Sequence, residues 1–97
     1  MKKDNIIREK SFAFALKIIV LYKALTERKE YVLSKQLLRS GTSIGANVEE
    51  ATAAQSAKDF VHKLSVASKE ARETKYWLML LQKSQLVDYD YSSHLRY

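Results

Sequence analysis

Proline is absent from the 97-residue sequence, and glycine occurs only twice, at Gly41 and Gly45. These two residue types punctuate regular structure, so a chain with almost none of either is built from long, uninterrupted elements. A turn-rich all-β domain, a Pro/Gly linker and low-complexity disorder are excluded on this ground. Cysteine is absent as well, which removes disulfides, thiolate metal sites and thiol catalysis. A domain of this size buries only roughly 60–65% of the surface its unfolded chain exposes. Its helices must therefore supply an efficient core unaided.

Hydrophobic periodicity divides the chain into three long helices and a short fourth. The first is predicted over residues 4–28. Phe12, Leu16, Ile19 and Lys23 form one stripe along it, and Phe14, Ile18, Leu21 and Leu25 form another. Between Phe12 and Tyr22 only Lys17 is charged. A surface helix has one apolar face; two stripes imply burial on two sides, one against the core and one against something else. Another copy of the chain is the simplest candidate.

The second helix is predicted over 31–54, although no Gly or Pro marks where the first ends. Leu33, Leu37, Ser40, Ile44, Asn47 and Ala51 alternate spacings of four and three on one face. The middle of that face is small or polar, and both glycines lie within it. Each costs about 1 kcal/mol relative to Ala in a helix interior. The pair therefore implies a close approach of another helix or a break in this one.

The third helix is predicted over 56–85. Ser56 followed by Asp59 reads as a capping box with Asp in the usual Glu position. Phe60, Leu64, Ala67, Ala71, Thr74, Leu78 and Leu81 keep a 4-3 alternation, the seam of a bundle. Trp77 widens its apolar end. A stub from about residue 88 has room for only a short fourth helix. The expected fold class is all-α: an up-down four-helix bundle with a truncated or short fourth helix, in a single domain over residues 1–97.

Net charge is +6, which admits polyanionic partners without requiring them. Residues 1–30 hold eight Lys/Arg against four Asp/Glu, so the excess is concentrated there. No run reaches the roughly 20 apolar residues of a membrane span. The opening Met1-Lys2-Lys3 imitates a signal peptide, but Asp4, Glu9 and Lys17 interrupt the pattern and no cleavage site follows. A cytoplasmic chain is expected.

Few residue constellations carry chemistry. A helix-turn-helix centred on Gly41 is disfavoured, because Leu37 stands where a small residue is wanted and Asn47 and Glu50 where apolar ones are. Asp59 and His62 have di-metal spacing, but a second Glu-x-x-His unit is missing. Serines occur without a strand–turn–helix context or a Gly-rich phosphate loop. An enzyme, a cofactor and a metal site are therefore not expected. The basic leader Lys2, Lys3, Arg8 and Lys10, with Lys17 and Lys23, is the candidate nucleic-acid surface, against the simpler reading of a solvated face. A polar cluster within the seams includes Ser40, Thr42, Ser43, Asn47, Glu50, Lys69, Glu70, Glu73 and Lys75. It reads as a network fixing helix register or subunit packing, in preference to a ligand site.

The same residues carry a resemblance. Gln36-Leu37-Leu38-Arg39-Ser40-Gly41-Thr42-Ser43-Ile44-Gly45-Ala46-Asn47-Val48-Glu49-Glu50-Ala51 resembles a signature of the small bundle proteins encoded in intervening sequences of bacterial 23S rRNA genes. A second signature follows in order: Lys58-Asp59-Phe60-Val61-His62-Lys63-Leu64, Lys69-Glu70-Ala71-Arg72-Glu73-Thr74 and Tyr76-Trp77-Leu78. The resemblance covers about Phe12 to Leu86. It implies an up-down four-helix bundle assembled as a ring-like homopentamer. It also implies a packing or assembly role for Arg39, Ser40, Gly41, Ser43, Gly45, Asn47, Glu50, Lys69, Glu70, Glu73 and Trp77. The family is similar to accessory proteins of diversity-generating retroelements, basic barrels that bind nucleic acid and a reverse transcriptase. It brings no catalytic residues. Members continue through a full fourth helix where this sequence stops at Tyr97, so a shortened bundle, or a seam covered by another chain, is expected. The functional expectation is a non-catalytic basic bundle that self-assembles and associates with RNA or DNA. The alternative is a structural or protein-interaction scaffold without nucleic-acid binding.

Overall fold

A computed structural model describes residues 2–95, and side chains from Ile6 onward. Helices α1 (Lys2–Glu27), α2 (Leu33–Thr52) and α3 (Ala57–Ser84) are followed by a single turn, α4 (Ser92–Leu95). Together they make an all-helical, elongated body of 44 × 20 × 19 Å. The connections of residues 28–32 and 53–56 are short, so successive helices pack side by side. α2 packs against both α1 and α3. Among the described residues, no Cα of α1 comes within 8 Å of one in α3.

The core is one cluster. Phe14, Ile18, Leu21 and Leu25 of α1 meet Leu37 of α2 and Leu78 and Leu81 of α3. Val87 and Tyr91 close one end of it. The α1 residues are the second of the two predicted stripes.

The turn between α1 and α2 shows why its boundary was illegible. Lys29 adopts a left-handed conformation, φ 66°. The Glu30 amide donates to the Leu25 carbonyl at 2.9 Å, and the Lys29 amide to the Thr26 carbonyl at 2.9 Å. This is a Schellman stop, made here with lysine where glycine is usual. α2 then starts at Leu33 instead of residue 31, because Glu30 does the capping. Its carboxylate accepts the amides of Val32 and Leu33, both at 3.2 Å, and of Ser34 at 2.6 Å. A carboxylate there also faces the positive end of the helix dipole. At α3 the expected cap is present: Ser56 Oγ accepts the Asp59 amide at 3.1 Å.

The fourth helix starts at Ser92, later than residue 88. Residues 87–91 instead cross the end of the bundle, burying Val87 and Tyr91. The Tyr91 hydroxyl donates to the Val87 carbonyl at 3.4 Å, and Tyr89 stacks beneath the Arg28 guanidinium, 5.5 Å from the ring centre.

Candidate functional site

Two surfaces stand out, both involving α1. The first is its outer face. Phe12 and Val20 are 64% and 62% exposed, and Leu16 and Ile19 are 50% and 40% exposed. These four side chains lie on the side of the helix opposite Phe14, Ile18 and Leu21, as expected for a 3.6-residue repeat. They form an apolar band more than two turns long.

The second is a groove of about 370 Å³ between α1 and α3. Ile7, Ser11 and Phe14 form one wall, and Ala71, Thr74 and Leu78 the other. Ile44 and Val48 of α2 make its floor, while His94 and Leu95 of α4 sit at one end. Lys10 and Lys75 line it from opposite sides, and both are exposed.

The glycines of the second predicted helix serve the α1/α2 contact within one chain. A Cβ on Gly41 would lie 2.8 Å from both Ile18 Cγ atoms. One on Gly45 would lie 3.3 Å from the Ser11 carbonyl oxygen. α2 continues unbroken through both residues.

On the opposite side of α2 the polar residues divide into two sets. Thr74 Oγ1 lies 2.9 Å from Ser40 Oγ, a buried hydrogen bond from α3 to α2. Arg39 donates to Glu70 at 3.3 Å and also to Glu73. Glu73 in turn accepts the Trp77 indole N–H at 3.1 Å. Glu50 faces Lys63 at 4.0 Å. The remaining polar side chains bond within α2: Ser43 to the Arg39 carbonyl at 2.6 Å, Asn47 to the Ser43 carbonyl at 2.9 Å, and Thr42 to the Leu38 carbonyl at 2.7 Å. Lys69 is exposed. Half of the anticipated network thus bridges helices, and the rest satisfies its own helix locally.

Against known proteins, the sequence profile of the 23S rRNA-intervening sequence proteins matches residues 3–96. The chain belongs to this family. The chain is also similar to a solved crystal structure from Bacteroides thetaiotaomicron, described as a protein of unknown function from the S23 ribosomal protein family. The two share 53% identity and superpose with a TM-score of 0.92, over 97% of this chain and 86% of that one. No functionally curated protein matches.

In this intervening-sequence protein the six basic residues of the candidate nucleic-acid surface do not gather on one face. The side chains of Lys2 and Lys3 lie outside the described residues. Arg8 turns to α2 and holds Glu49 at 3.0 and 3.2 Å. Lys10 and Lys17, two turns apart, lie on the groove side of α1, with Lys17 beside His94. Lys23 is exposed and extends the outer apolar stripe.

The periodicity argument missed the groove and its end residues. His94 is 8% exposed, and burial holds its imidazole neutral, with its pKa below the ordinary 6.5. The Lys17 charge pushes in the same direction, while a hydrogen bond to the Lys17 backbone and the Asp90 carboxylate oppose it. Burial likewise raises the Tyr91 phenol. The one advance signal was Ala71, a seam residue too small to fill the space between helices. Among the described residues no group of three or more His, Asp and Glu is placed to hold a metal, and His62 is exposed. No described helix is long and apolar enough to cross a membrane.

Proposed function

We propose that the protein is a non-catalytic, cytoplasmic assembly module whose copies associate through the outer face of α1. The observation that carries this reading is the exposed band Phe12, Leu16, Ile19 and Val20. A contiguous apolar patch on one face of a small protein marks an interaction surface, whereas scattered apolar residues do not. Burying side chains of this kind contributes about 1.5–3 kcal/mol each when complete. By the family resemblance the assembled form is a ring of five copies.

Assembly also gives the charge a use. Each copy brings a net charge of +6, and a closed oligomer presents several such charges to one polyanion. RNA or DNA is then held by phosphate contacts repeated around the assembly, a multivalent effect that single scattered lysines do not achieve. The non-catalytic reading is supported by where the chemistry-bearing groups lie: His94 and Tyr91 are committed to anchoring the C-terminal segment, and Glu70 and Glu73 to Arg39.

Sedimentation of the wild type and of Leu16→Glu at micromolar concentration tests the assembly. Binding of a structured RNA across a salt series tests the second part. The expected result is an oligomer that the substitution dissociates, and RNA affinity that falls as salt rises and weakens with dissociation. RNA binding absent at low salt, or indifferent to salt, removes the nucleic-acid role.

A further inference from the structure

We propose that the groove between α1 and α3 is a docking site for a partner helix of about two to three turns, whose apolar stripe is flanked by carboxylates. This goes beyond the outer-face assembly, because the groove opens on a different side of α1.

The shape of the groove selects a helix. Its walls are seam positions with helical spacing, Ile7–Ser11–Phe14 on α1 and Ala71–Thr74–Leu78 on α3. They run together for about 10 Å at 1.5 Å per residue. α4 already occupies one end as a helical turn, contributing His94 and Leu95 to the lining. An extended peptide would leave backbone N–H and C=O groups unpaired against walls this apolar, whereas a helix satisfies its own. Ser11 and Ala71 are small, which lets a helix backbone approach closely. Ala71 is exposed despite its place on the α3 seam.

The rim selects the charge. Lys10 and Lys75 stand on opposite banks, exposed and with no acidic partner among the described residues. Lys17 adds positive charge at the closed end. A docked helix with Glu or Asp on both flanks of its apolar stripe places a carboxylate near each lysine. A helix with Lys or Arg there meets like charge on both sides, the arrangement that excludes wrong partners.

The test uses fluorescence anisotropy with a labelled amphipathic helical peptide of about 14 residues carrying Glu on both flanks. A second peptide has Lys in place of every Glu. Both are titrated with the full chain, with the Lys10→Glu/Lys75→Glu double variant and with Phe12→Glu. The substituted residues are exposed, and circular dichroism verifies that each variant is folded. The acidic peptide is expected to bind the wild type and Phe12→Glu alike, and the double variant at least about tenfold more weakly. The basic peptide is expected to show the reverse preference between wild type and double variant. Ala71→Trp, which fills the groove without changing charge, is expected to weaken binding of the acidic peptide.

Three results would overturn the proposal. One is no binding of the acidic peptide to the wild type. Another is equal binding of both peptides to all proteins, or loss of binding in Phe12→Glu, which places the contact on the outer face. The last is displacement of the acidic peptide by a short RNA at low salt, which assigns the lysines to phosphate contacts.

Discussion

Ile18 and Ile19 are neighbours on α1, yet Ile18 is completely buried and Ile19 is 40% exposed. The contrast extends along the helix. Phe14, Ile18, Leu21 and Leu25 pack into the core, while Phe12, Leu16, Ile19 and Val20 face outward. The two faces have similar apolar chemistry and differ only in whether another helix of the same chain is there to cover them. α2 reaches the inner face closely because Gly41 and Gly45 carry no side chain between the helix axes. Apolar content therefore reports how much surface a helix needs covered, and the small residues of a neighbour report which face is covered from within.

Substitution along the two faces should separate them most sharply. Ile18→Ala leaves a cavity in a fully packed site and is expected to cost about 2–5 kcal/mol. Ile19→Ala is expected to change monomer stability by less than about 0.5 kcal/mol. Urea unfolding at low protein concentration, where association does not contribute, measures both values. A large loss from Ile19→Ala under those conditions would mean that the outer face has a partner within the chain.

The glycines give a smaller contrast within the α1/α2 contact. Gly41→Ala places a methyl group 2.8 Å from a buried, β-branched side chain that has one strongly preferred helical rotamer. Overpacking of about 1–3 kcal/mol is expected to exceed the gain of about 1 kcal/mol in helix propensity. At Gly45 the neighbouring atom is 3.3 Å away, so relief is slight and Gly45→Ala should be near neutral. Thermal melts of the two variants rank them, and equal effects would contradict the unequal spacing.

The smallest effect concerns the end of the groove. The folded state keeps His94 neutral, with its pKa below 6.5, so the unfolded chain takes up a proton that the folded chain excludes. The contribution of docked His94 is therefore fully present above about pH 6.5 and declines as pH falls toward the folded pKa. His94→Gln is expected to flatten this part of the stability profile between pH 7 and pH 5, which equilibrium unfolding at each pH records.

Much of the bundle is legible in the sequence, for physical reasons that differ by element. The α3 seam is readable because Leu64, Ala67, Thr74, Leu78 and Leu81 repeat at helical spacing over many turns. Both stripes of α1 are readable too, but periodicity cannot say which of two equivalent stripes faces α2. That choice rests on Ile18 fitting over Gly41, a three-dimensional match between distant residues. The α1/α2 turn is hidden because its stop is Lys29 and its cap is Glu30, residue types that usually lie within helices. The short fourth helix is visible only as leftover length. Its anchors, Tyr91 and His94, look like ordinary polar surface until they are placed against α1 and α3. The basic leader is the clearest case of composition outrunning geometry: Arg8 is engaged with Glu49, and Lys10 and Lys23 lie on different sides of the helix.

The central claim is that the outer face of α1 is covered by other copies of the chain. The most direct test is the molar mass of the wild type and of Leu16→Glu, measured by light scattering at micromolar concentration. A multiple of 11.2 kDa for the wild type and a single copy for the variant is the predicted result. A wild-type monomer, or an oligomer that Leu16→Glu leaves intact, would contradict it.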